Sequence, residues 1–84
     1  MSETIAQPTR KLYDIAAEIK RDWRPTVNYA AAPYLDAMQG LGGIDDRYLA
    51  DDARSIVAYF LCNASSWKGP TARRIKAELK AMSK

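Results

Sequence analysis

Apolar residues recur at intervals of three and four along four stretches of this 84-residue chain, and proline or glycine separates the stretches. This spacing places apolar side chains on one face of an α-helix, and the interruptions end each helix. We therefore predict a small all-α domain of four helices, orthogonal or bundle-like, near residues 9–23, 33–41, 51–67 and 70–82. Residues 26–32 are ambiguous, because their alanines favour helix while Pro33 would clash inside one.

The third stretch is the most apolar, with Ile56, Val57 and Phe60 in a broad stripe. A helix that is apolar on several sides is usually surrounded by others, so we expect this helix to be central. Asp51 or Asp52 is its predicted N-cap. Cys62 is predicted to be a small buried residue rather than a nucleophile.

The other helix ends also carry signals. Thr9 is the predicted N-cap of the first helix, and Pro25 ends it. Thr71 or a neighbouring residue is expected to cap the last helix. Trp23 and Trp67 each fall at a predicted helix end, where we expect them to pack beneath the corners of the domain.

Length and composition fit one domain over residues 1–84, with residues 1–8 as a flexible leader. The chain is 48% hydrophobic, yet no apolar run approaches the ~20 residues that span a bilayer. The first residues lack the basic start and apolar middle of a signal peptide. A single cysteine allows no internal disulfide and fits a reducing compartment. We expect a cytoplasmic protein without a membrane partner.

The chain contains no histidine. Metal sites built from histidine and cysteine are therefore ruled out within one chain, and the commonest general base at neutral pH is missing. Gly40, Gly42 and Gly43 precede Asp45 and Asp46, whereas a phosphate loop needs Gly-Lys-Ser/Thr entering a helix. The aspartates also lack the spacing of a calcium loop. We predict no enzymatic activity, no cofactor and no metal.

Positive charge is concentrated near the C-terminus, where residues 66–84 carry six basic groups and one acidic group. At 100° per residue, one flank of the last helix gathers a basic ridge: Arg73, Lys76, Lys80 and Lys84. Arg74 lies apart from it, within reach of Glu78 at i+4. Trp67 and Lys68 precede the ridge, and together these six residues form the predicted interaction surface.

Three interpretations of this surface stay open. Charge runs are usually solvated faces, and the late lysines also complement the helix dipole. The ridge could instead bind an acidic protein, including the acidic middle of a second copy in a homodimer. It could also contact nucleic acid, because the pattern from Leu61 to Leu79 has the layout of a helix-turn-helix. Only Thr71, Arg73 and Arg74 could read bases, so phosphate contact is better supported than sequence recognition.

Four segments, KLYDIAAEIKRDW, APYLDAM, SIVAYFLCNASSWKG and ARRIKAELKAM, together resemble a group of short uncharacterised proteins from actinobacterial phages and prophages. The resemblance covers about residues 10–82, and its motifs are not signatures of any chemistry. It implies a phage-derived helical protein inside the host cell, with an interacting or regulatory role rather than a metabolic one. The leading hypothesis is therefore a non-enzymatic protein-interaction module.

Overall fold

The computed structural model describes residues 10–24, 26–48 and 51–83. Four helices occupy most of this described part: α1 (Leu12–Trp23), α2 (Ala32–Met38), α3 (Ala53–Cys62) and α4 (Pro70–Met82). Two strands that the sequence did not predict, β1 (Arg47–Tyr48) and β2 (Asp51–Asp52), pair antiparallel ahead of α3. The predicted all-α four-helix fold is confirmed.

The core is formed by the apolar faces that the periodicity predicted, with α1 placed between α2 and α4. Helix α1 packs against both of these helices, whereas α3 packs mainly on α2. The central position therefore belongs to α1 as much as to α3. All charged side chains in the described ranges keep some contact with solvent, and no polar residue there is buried.

The beginning of α1 is capped by a distant part of the backbone. The amides of Leu12 and Tyr13 donate to the carbonyls of Gly42 and Leu41, at 2.8 and 3.0 Å. These bonds satisfy amides that an isolated helix would leave without partners. The helix consequently starts three residues later than predicted, with Lys11 as its N-cap. The predicted cap Thr9 lies outside the described residues, as does Pro25 beyond the other end of the helix.

The ambiguous segment before α2 is a turn organised by Asn28. Its side-chain Oδ1 accepts a hydrogen bond from the amide of Ala30 at 2.8 Å, and its carbonyl accepts from Ala31 and Ala32. Asparagine side chains commonly stabilise turns in this way. Helix α2 then starts at Ala32, and Pro33 occupies its first turn, where a missing amide costs nothing.

Helix α3 starts as predicted but is shorter. Asp52 is its N-cap, and the carboxylate accepts from the amide of Ser55 at 2.8 Å. Because Asn63 ends the helix, the predicted extension to residue 67 is wrong. The predicted burial of Cys62 is also wrong, since its side chain is exposed together with Tyr59. Only one side of α3 faces the core, although its sequence is apolar on several sides.

Candidate interaction site at the Trp67 corner

Residues 63–69 connect α3 to α4 and are here called the Trp67 corner. The side chain of Trp67 is 2% exposed. Its ring stacks on Trp23 with centroids 5.6 Å apart, and Phe60 makes edge-to-face contacts with both indoles. Stacked and edge-to-face contacts are the preferred geometries of aromatic pairs. The expectation that both tryptophans pack beneath the corners is confirmed, and the assignment of Trp67 to the interaction surface is wrong.

Polar contacts fix the corner to two helices. The indole Nε1 of Trp67 donates to Asp22 Oδ2 on α1 at 2.8 Å. Lys76 on α4 donates from Nζ to the carbonyl of Trp67 at 2.7 Å, and this ammonium lies 5.8 Å from the centre of the indole ring. A cation over an indole face is electrostatically favourable. The corner is thus held at its side chain and at its backbone.

Glycine and proline then allow α4 to begin. Gly69, the N-cap, has φ of 111° and ψ of 175°, which only glycine adopts readily. Pro70 follows as the first helical residue, so α4 has the bounds that the sequence predicted. Thr71 lies inside the first turn and its side chain caps nothing, whereas its neighbour Gly69 occupies the cap position.

The predicted basic ridge is not continuous. Lys76 is half-buried because its ammonium turns toward the Trp67 carbonyl. Burial lowers the pKa of Lys76, and the positive charges of Lys80 and Lys68 lower it further. Lys76 is therefore close enough to Lys80 and to Lys68 to be repelled by each. Lys84 lies outside the described residues, so its place in the ridge stays a prediction.

Lys68, Arg73 and Lys80 are exposed around this half-buried lysine. The side chains of these three residues make no hydrogen bond or ion pair with another residue in the described ranges. We call Lys68, Arg73, Lys76 and Lys80 the basic face. Four other cations contact carboxylates instead: Arg10, Lys20, Arg54 and Arg74. The basic face is therefore a cluster of like charges that the described residues leave without a counter-charge.

The opposite flank of α4 is neutralised by Arg10, which precedes α1, and by Glu18 on α1. Arg10 donates from Nε and Nη2 to both carboxylate oxygens of Glu78, at 2.9 and 2.6 Å, and from Nη1 to Glu18 at 2.8 Å. Arg74 also bonds to Glu18. The predicted pair of Arg74 with Glu78 is wrong, because each residue finds a better-placed partner outside α4. The hydrogen bond from Arg10 lowers the pKa of Glu18 below its usual range, and the contact with Arg74 lowers it further. Partial burial of Glu18 opposes this shift but does not cancel it.

The first turn of α4 faces carboxylates. A shallow depression of about 260 Å³ is lined by Glu18, Arg21, Asp22 and Thr71. Its charges are mixed, because Arg21 lies beside the two carboxylates and Arg10 and Arg74 both contact Glu18. Moreover, residues 63–69 make a longer connection than the roughly three- to four-residue turn of a helix-turn-helix. Neither feature supports base reading by the front of α4.

The glycine-rich loop binds a carboxylate of its own. The amides of Gly42 and Gly43 donate to Asp46 Oδ2 at 3.0 and 2.9 Å, and these bonds lower the pKa of Asp46. This loop is a turn whose glycine amides are already bonded to a carboxylate of the same chain. Within the described residues, no three histidine, cysteine, aspartate or glutamate side chains come together as a metal site.

The sequence interpretation missed a second exposed feature, a pair of tyrosines. The rings of Tyr34 on α2 and Tyr59 on α3 have centroids 5.4 Å apart, and Tyr59 is 51% exposed. Spacing within one helix could place Tyr59 at the edge of the apolar stripe. It could not show that a tyrosine from another helix would lie beside it.

Comparison with known proteins gives no relative: no family model, curated protein or solved structure matches the chain. In the described part of the chain, no helix has the length and apolar character needed to cross a membrane. The geometry of the site is therefore the basis for any functional assignment.

Proposed function

We propose that the protein is a non-enzymatic interaction module that binds an acidic protein surface through the basic face. The observation that carries this proposal is the cluster of exposed cations without a counter-charge among the described residues. Like charges held together raise the energy of the unbound molecule, and an acidic partner relieves that repulsion. The resemblance to phage proteins supports placing this activity in the cytoplasm of a host cell.

The Trp67 corner supports the proposal by fixing the backbone positions from which the cations extend. The backbone of Trp67 is bonded to Lys76, and its ring is packed in the core, so the neighbouring Lys68 has a defined position. Arg73 and Lys80 extend from a 13-residue helix. A preorganised surface loses less conformational entropy on binding than a mobile one.

The experiment compares two double variants, each of which replaces two basic residues with glutamate. Arg73→Glu with Lys80→Glu removes exposed cations from the basic face, while Lys11→Glu with Arg54→Glu makes the same change in net charge elsewhere. The control substitutions lie at the N-terminal ends of α1 and α3, where a carboxylate suits the helix dipole, so the control should fold. Lys76 is left intact because its reversal would disrupt the Trp67 corner.

Each protein is used to capture partners from nuclease-treated lysate of the encoding organism, and captured proteins are identified by mass spectrometry. We expect acidic proteins that bind the wild type and the control but not the basic-face variant. Equal capture by all three proteins would contradict the proposal. Light scattering across a wide concentration range tests the homodimer version, and a strict monomer would remove it.

Nucleic-acid binding is a second candidate, favoured by the same unpaired cations and by the isoelectric point of about 9.2. In this case the cations would contact phosphates without reading sequence. A mixed-sequence duplex should then bind at low salt, weaken steeply as salt rises, and fail to bind the basic-face variant. Absence of binding at low salt would eliminate this candidate.

A further inference from the structure

The outward face of α4 contains small apolar residues between its cations. Arg73, Ala77, Lys80 and Ala81 are all exposed. At 100° per residue they occupy an arc of about 100°, and Arg73 and Lys80 are about 10 Å apart along the axis. The face thus combines two positive charges with a flat strip of methyl groups.

This combination matches a particular kind of acidic surface. Helices whose contact positions are small can approach with axes about 8 Å apart. A partner helix carrying carboxylates at intervals of three and four would meet both cations while its apolar side chains cover Ala77 and Ala81. A phosphate backbone could use the charges but would gain nothing from the methyl groups.

Resting on the proposed function, we infer that the partner of the basic face is an acidic amphipathic helix that lies along α4 over Ala77. The charges supply attraction and orientation, and the alanines allow close packing. Lys68 and Lys76 lie at one end of this track, beside the Trp67 corner, and extend the positive potential there.

The test uses a labelled peptide of about 18 residues, or five helical turns. Its glutamates recur at intervals of four and three, with leucine and alanine on the adjacent positions. A control peptide has the same composition in an order that destroys the periodicity. A mixed-sequence DNA duplex of similar charge is the third probe, and fluorescence anisotropy gives each affinity at one salt concentration.

We expect the periodic peptide to bind about tenfold more tightly than the control peptide and the duplex. Arg73→Glu with Lys80→Glu should remove that binding, whereas Lys11→Glu with Arg54→Glu should retain it. Ala77→Gln keeps every charge but adds bulk at an exposed position, so it should weaken the periodic peptide and leave the control peptide unchanged. Far-UV circular dichroism confirms that each variant remains helical.

The outcomes separate this inference from the proposed function. Equal binding of the two peptides, or no effect of Ala77→Gln, would overturn the helix inference while leaving recognition of acidic protein intact. Tighter binding of the duplex, lost in the basic-face variant, would replace both with nucleic-acid binding. If wild type binds none of the three probes, the proposed function and the helix inference both fail.

Discussion

Truncation of Trp67 should remove much of the stability of the whole domain. The side chain is 2% exposed, and burying an indole removes roughly 200 Å² from water. At about 25 cal/mol per Å², Trp67→Ala loses about 4 kcal/mol after allowing for the retained methyl group. Lost contacts with Trp23 and Phe60 add about 1 kcal/mol. A domain of 84 residues has a total of roughly 4–13 kcal/mol, so this variant should lose between about two fifths and all of its stability.

Trp67→Phe should lose less stability than Trp67→Ala, and its loss should be measurable. It keeps a ring in the aromatic cluster but loses the bond from Nε1 to Asp22, and we expect a cost of about 2 kcal/mol. Urea unfolding followed by circular dichroism measures both variants. Tyr59→Ala is the control, because it truncates an aromatic residue that is 51% exposed and should cost about 1 kcal/mol or less. If Trp67→Ala were no more destabilising than Tyr59→Ala, the corner would not be part of the packed core.

Three further variants test other contacts, with thermal or urea unfolding as the measurement. Arg10→Lys cannot make the two-pronged contact with Glu78 and should cost about 1 kcal/mol, a loss that shrinks at high salt; a cost independent of salt would contradict an electrostatic role. Gly69→Ala meets no steric obstacle but must adopt a φ of 111°, so it should cost about 1–3 kcal/mol, and a neutral result would refute the strained geometry. The lowered pKa of Glu18 means that its charged form stabilises the fold above the ordinary value of 4.5. The stability advantage of wild type over Glu18→Gln should therefore be complete at pH 6 and shrink as the pH falls below about 4.5; an advantage that grew on acidification would reverse the assigned sign.

Features set by local spacing could be predicted from the sequence. The bounds of α4 follow from Gly69-Pro70 at one end and from regular apolar spacing along the helix. The Asp52 cap depends only on residues within one turn of it. The packing of Trp23 and Trp67 beneath the corners was also predicted from their positions, whereas their stacking on each other was not.

Features that depend on distant segments could not be predicted in the same way. Spacing places Arg74 near Glu78, but it does not show that Glu18 on α1 contacts Arg74 or that Arg10, before α1, contacts Glu78. The exposure of Cys62 likewise depends on which neighbours cover α3. Sequence spacing gives the angles between residues around one helix. Tertiary packing determines whether each of those residues contacts another segment or is exposed to solvent.

The position of Lys76 shows why the basic face must be tested by combined changes. Its ammonium stabilises the fold through the hydrogen bond to the Trp67 carbonyl. The same ammonium adds positive potential to the surface beside Lys68 and Lys80. Reversal of Lys76 would place a carboxylate against that carbonyl, so a loss of binding could reflect a damaged corner. Arg73 and Lys80 have no such second role among the described residues, since the side chains of both are exposed and make no hydrogen bond or ion pair there. Binding can therefore be separated from folding only at these outer positions, with Lys76 left in place to keep the corner intact.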